Sequence, residues 1–120
     1  MPTKPEVVAV IDDDLGVRGA IRRLLSALGY HTELYASAKE FLAAAMRTEA
    51  ICLIVDIELG GIEFARCLVN TVTTPIIFMT AHDSESFKRR AVEMGCVAFL
   101  RKPFSADALV EALGRIPRSA

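Results

Sequence analysis

Five short runs rich in apolar, β-branched residues recur along this chain with helix-patterned stretches between them, and no other feature narrows the fold as far. The runs are Val7 to Ile11, His31 to Tyr35, Ile51 to Val55, Ile76 to Met79 and Val97 to Leu100. The first, third and fourth are almost continuously apolar, as strands covered on both faces of a parallel sheet should be. Between the first two runs, Val17, Ile21, Leu24, Leu25 and Leu28 share one helical face, and Gly29 supplies the stop. Ser37 and Glu40 form a capping box ahead of Phe41 and Leu42. Gly61 to Val69 reads as a short third helix. Asp83 or Ser84 can cap a fourth, which turns Phe87, Ala91 and Met94 inward and stops at Gly95. Ser105 caps a fifth, with Leu109, Leu113 and Ile116 apolar and Pro117 closing it.

Strand and helix alternate five times, which predicts an α/β fold built on an open, doubly wound parallel sheet. A chain of 120 residues without a linker or low-complexity segment is one domain, with its core expected over residues 7–116. It is 52% hydrophobic and 24% charged, which excludes a disordered segment. A net charge of −1 gives no overall pull toward nucleic acid or anionic lipid. No apolar run approaches the roughly 18 residues that span a bilayer, and the start, Met1-Pro2-Thr3-Lys4-Pro5, lacks a signal peptide's apolar core. The expected compartment is the cytoplasm. Cys52, Cys67 and Cys96 show no metal-ligand spacing and read as three reduced, buried thiols.

Doubly wound sheets bind ligands outside the carboxyl ends of their strands, where strand order reverses. Asp12-Asp13-Asp14 follows the first strand, Asp56 follows the third, Thr80 ends the fourth, and the fifth runs into Lys102-Pro103. If the order is 2-1-3-4-5, the first and third strands are neighbours and these acids share a crevice flanked by Thr80 and Lys102. Taken singly, each residue has a plain structural role: Asp13 or Asp14 as a helix cap, Asp56 in a turn, Lys102 as an ion-pair partner. Their occurrence together at successive strand ends favours a site. Asp12, Asp13 and Asp56 against Lys102 leave a net −2, and two like charges about 5 Å apart repel by roughly 3 kcal/mol at an effective dielectric near 20. A hard divalent cation relieves that repulsion, and all-oxygen ligands suit Mg²⁺, with Mn²⁺ the alternative.

As a set, these motifs resemble the receiver domain of two-component response regulators. The resemblance covers nearly the whole chain and rests on Val-Ile-Asp12-Asp13-Asp14, Leu-Ile-Val-Asp56, Phe-Met-Thr80-Ala81 and Lys102-Pro103-Phe104. The run from Tyr35 to Leu42 is similar to receivers of the FixJ type. The resemblance implies a flavodoxin-like fold with order 2-1-3-4-5 and a signalling role, not a turnover enzyme. It implies that Asp56 accepts a phosphoryl group from a sensor histidine kinase. Asp12, Asp13, Asp56 and the Glu58 backbone carbonyl would surround Mg²⁺, Asp12 through water, and Thr80, Ala81 and Lys102 would meet the phosphoryl oxygens. Thr80 and Phe99 would form the switch, and the Lys102-Pro103 bond is a cis candidate. Output would pass through the fourth helix, fifth strand and fifth helix, which relatives also use for a phosphorylation-dependent homodimer. DNA would be reached only through an effector domain beyond Ala120, and no membrane partner is implied.

The chain departs from that pattern after Asp56. Ile57-Glu58-Leu59-Gly60-Gly61 lacks the family's usual Pro and is about three residues short. It is either a true deletion or a loop with residues missing from the numbering, and the poor capping offered by Gly60-Gly61 favours the second. A degenerate receiver, acting as a phosphorylation-independent interaction module, is the rival reading. An aspartyl phosphatase would want a different context around Asp12, and a flavin-phosphate module would be repelled by three aspartates. Lys88-Arg89-Arg90 reads as the solvated face of the fourth helix, with part of a partner or dimer surface the alternative, and His82 is either an exposed loop histidine or close enough to Thr80 to affect water access.

Overall fold

The five apolar runs pair into one parallel sheet of order β2-β1-β3-β4-β5. The computed structural model describes residues 5–44, 47–58, 61–81 and 85–117. In chain order the elements are β1 (Val7–Ile11), α1 (Leu15–Ala27), β2 (His31–Tyr35), α2 (Ala38–Ala44), β3 (Ala50–Asp56), α3 (Gly61–Thr71), β4 (Ile76–Thr80), α4 (Glu85–Glu93), β5 (Ala98–Arg101) and α5 (Ala106–Gly114). The predicted fold class and strand order are those observed.

Successive strand residues point to opposite faces, so the sheet has a core on each side. On one, Val8, Val10, Cys52, Ile54, Ile77 and Met79 pack against Ile21 and Leu25 of α1 and Leu109 and Leu113 of α5. On the other, Ala9, Ile11, Leu53, Val55 and Phe78 meet Phe41 of α2, Leu68 of α3 and Ala91 of α4. Two covered faces are why the central strands have no polar alternation.

Local chemistry starts and stops the helices as the sequence indicates. The Ser37 hydroxyl accepts from the Glu40 amide at 3.1 Å, while the Glu40 carboxylate reaches back to the Ala36 amide at 2.7 Å. Ser105 caps α5 by accepting from the Ala108 amide. Gly29 and Gly95 adopt φ of 92° and 87°, the left-handed geometry that terminates α1 and α4 and disfavours other residues. Asp83 and Ser84, the candidate caps of α4, lie outside the described residues.

Strand limits differ from the hydropathy reading because pairing, not apolarity, sets them. Asp56 pairs with Met79 and so closes β3, and Thr80, which ends β4 as expected, pairs with Arg101, which carries β5 one residue past Leu100. The thiols are a second correction. Cys52 is buried and Cys96 half-buried, but Cys67 is exposed, because α3 turns its neighbour Leu68 to the sheet and Cys67 to solvent. There the Cys67 sulfur lies 3.9 Å from the Thr71 hydroxyl.

Beyond the edge of β2, Glu33 Oε1 accepts from both the Tyr35 phenol (2.9 Å) and the Thr48 hydroxyl (2.6 Å). Burial, with the hydrogen bond and charge of Glu33, pushes the Tyr35 phenol up to about 12. The folded state thus keeps a proton that the unfolded chain releases near pH 10, and stability falls as pH rises from there toward about 12. Absorbance titration should show a late phenolate transition that Tyr35→Phe abolishes. Phe41 is fully buried and meets the Tyr35 ring edge-on at 5.4 Å. Phe41→Ala should cost about 3–5 kcal/mol in urea unfolding followed by circular dichroism.

Candidate functional site

All five strands are parallel, so their carboxyl ends, and the residues that follow them, share one edge of the sheet. The three aspartates after β1 divide the work. Asp12 is fully buried; its amide donates to the Tyr35 carbonyl at 3.1 Å, and its Oδ1 accepts from the Asp14 amide at 2.8 Å. Asp14 is the N-cap of α1, accepting from the Val17 amide at 3.0 Å, so one of the two capping candidates does cap. Asp13 is exposed and does neither job.

Asp56, at the end of β3, is 6% exposed. Its Oδ1 accepts from the Glu58 amide at 2.9 Å. Lys102 then ties the two strand ends together, donating from Nζ to Asp56 Oδ2 at 2.9 Å and to Asp12 Oδ2 at 3.0 Å. Its own amide donates to the Thr80 carbonyl at 2.7 Å, and the Lys102-Pro103 bond is cis, as the resemblance implied. Burial works against the ammonium, but hydrogen bonds and charges from Asp56 and Asp12 outweigh it and raise its pKa.

One carboxylate oxygen from each of Asp12, Asp13 and Asp56 lies within 4.8 Å of the others. A hard cation fits such a donor set: three anionic oxygens against a single ammonium, at a crevice open to solvent through Asp13. Thr80 is fully buried at the same edge, Ala81 is exposed, and Phe99 is half-buried against the cluster that holds Phe78. Thus the structure gathers Asp12, Asp13, Asp56 and Lys102 directly, with Thr80 joined to them through Glu58.

Two contacts were not legible in the sequence. Arg18 reaches back from α1 to donate from Nη1 to the Asp12 carbonyl at 2.8 Å, steadying the acidic turn; a basic residue one turn into the helix was its only signal. Glu58 was expected to contribute a backbone carbonyl, yet its amide holds Asp56 and its carboxylate Oε1 accepts from the Thr80 hydroxyl at 2.9 Å. Leu59, Gly60 and His82 lie outside the described residues.

A 2-1-3-4-5 sheet with paired carboxylates, a hydroxyl and a lysine along its carboxyl edge defines a receiver. The chain belongs to the response regulator receiver domain family, whose model matches residues 8–114. It is 32% identical over 114 residues to nodulation protein W of Bradyrhizobium diazoefficiens, covering 89% of this chain and 49% of that one. The transcriptional regulatory protein FixJ of the same organism is 31% identical and is covered to 60% by the whole of this chain. A response regulator receiver protein from Burkholderia phymatum superposes with a TM-score of 0.81 at 33% identity, over 98% of both chains. The chain spans about half the length of the first curated relatives it matches. Among the described residues, no helix is long and apolar enough to cross a membrane.

The bridge predicts a stability effect. Lys102→Met should leave Asp12 and Asp56 repelling at low exposure and cost about 2–3 kcal/mol in urea unfolding. Millimolar Mg²⁺ should recover part of that loss, and Asp13→Asn should blunt the recovery.

Proposed function

We propose that this domain is a phosphoacceptor that takes a phosphoryl group from the phosphohistidine of a sensor kinase onto Asp56. The observation that carries the reading is the convergence of the Asp12, Asp13 and Asp56 oxygens within 4.8 Å, beside an ammonium 2.9 and 3.0 Å from two of those carboxylates. An Asp56 oxygen attacks phosphorus; the phosphorus–nitrogen bond breaks, and its electron pair leaves on the imidazole, which is a good leaving group once protonated. Asp12, Asp13 and Asp56, with the Glu58 carbonyl, would hold Mg²⁺. When bound, the ion supplies charge neutralisation of the transferring oxygens. Lys102, already between Asp12 and Asp56, orients the acceptor and offers its ammonium to those same oxygens.

Transfer turns a −1 carboxylate into a group of roughly −2 with new acceptor oxygens. Thr80 and the Ala81 backbone would donate to them. Movement of Thr80 inward would open space for Phe99, biasing the surface of α4, β5 and α5 between two arrangements. That surface includes the exposed basic residues Lys88, Arg89 and Arg90, and we assign it to partner binding or phosphorylation-dependent self-association. We read the domain as a cytoplasmic signalling unit over residues 1–120 that would reach DNA only through a separate effector domain.

Incubation with acetyl phosphate and Mg²⁺ should add the mass of one phosphoryl group to the wild type and none to Asp56→Asn. Beryllofluoride with Mg²⁺ should shift resonances from Thr80 and Phe99. A folded wild type that gains no mass and binds no beryllofluoride would leave the phosphorylation-independent interaction module as the better description.

A further inference from the structure

We infer that the Glu58 carboxylate is a built-in competitor for the phosphoryl group, occupying the Thr80 hydroxyl that the group needs. This rests on the phosphoacceptor reading above. Thr80 is fully buried at the end of β4, so its hydroxyl has little choice of direction, and it donates to Glu58 Oε1 at 2.9 Å. Glu58 is only half-buried, and its backbone is anchored through the amide that donates to Asp56 Oδ1 at 2.9 Å. The residue therefore joins acceptor and hydroxyl in one short span, with the carboxylate offering Thr80 the same partner chemistry as a phosphoryl oxygen: an anionic oxygen accepting from O–H. A phosphoryl group on Asp56 and the Glu58 carboxylate cannot both have that hydroxyl on equal terms. Phosphorylation would therefore displace the Glu58 side chain from the Thr80 hydroxyl toward solvent. Glu58 acts here as a positioning residue: it sets how far Thr80 is already drawn to the site before transfer, and how much the phosphoryl group gains by recruiting it.

The competition is separable from the metal-binding role given to Glu58, because that role uses a backbone carbonyl that side-chain substitution leaves in place. Beryllofluoride affinity at saturating Mg²⁺ is the measurement, by ¹⁹F resonance titration of the wild type, Glu58→Ala, Glu58→Gln, Thr80→Val and the double variant Glu58→Ala/Thr80→Val. Release of one charge-assisted hydrogen bond at a half-exposed site should tighten Glu58→Ala about five- to tenfold, with Glu58→Gln between it and the wild type. In the Thr80→Val background the gain should vanish, since no hydroxyl remains to compete for. In the free protein, the Thr80 methyl resonance should move in Glu58→Ala. Equal or weaker binding by Glu58→Ala overturns the inference, as does a gain that persists without the Thr80 hydroxyl, which would mark simple charge repulsion. A wild type that binds no beryllofluoride defeats the phosphoacceptor reading itself, an outcome distinct from either of those.

Discussion

The ammonium of Lys102 holds this site together. It lies 3.0 Å from a carboxylate delivered by β1 and 2.9 Å from one delivered by β3, and it arrives from the turn after β5. Without it, Asp12 and Asp56 would face each other nearly shielded from water, an arrangement that repulsion and desolvation oppose. With it, two strand ends are fixed relative to each other while a net negative charge remains. That remainder gives the crevice a set of oxygen donors that suits a hard cation, and the same lysine sets the spacing of two of the three carboxylates.

The sheet makes this geometry available. Parallel strands bring every carboxyl end to one edge, and two apolar layers, α1 and α5 on one face and α2, α3 and α4 on the other, hold those ends in register. Asp12 and Thr80 are fully buried because the strands carrying them are. Their polar groups are satisfied locally: the Asp14 amide meets Asp12, and Glu58 meets Thr80. With Asp12 and Asp56 buried, a change of charge at either is screened less than it would be on an open surface.

Reading the chain residue by residue recovered most of this, for identifiable reasons. The helix stops at Gly29 and Gly95 and the caps at Ser37 and Ser105 depend on near neighbours, so they are written in short segments. The end of the fifth strand was read one residue short of Arg101, because hydropathy does not report which residues a partner strand pairs with. Cys67 was read as buried because an apolar run does not say which of its members a short helix turns outward. The cluster of acids was expected from their positions at strand ends. The link from Thr80 to Glu58 was not, because a glutamate in a short loop carries no sign of where its carboxylate goes.

By itself, the sequence determined the alternation of strands and helices, the position of their stops, and the set of charged residues lying beyond the strands. These follow from periodicity and capping, which act over a few residues. Only the tertiary structure decided which of those charges meet. The bonds that build the site join residues 22, 46 and 90 positions apart, and such contacts depend on strand register, helix packing and the path of each turn. Division of the three aspartates into a buried carboxylate, an exposed carboxylate and a helix cap, and capture of the Thr80 hydroxyl by Glu58, belong to that second kind. Directions of side chains at the ends of packed strands are fixed by their surroundings in three dimensions.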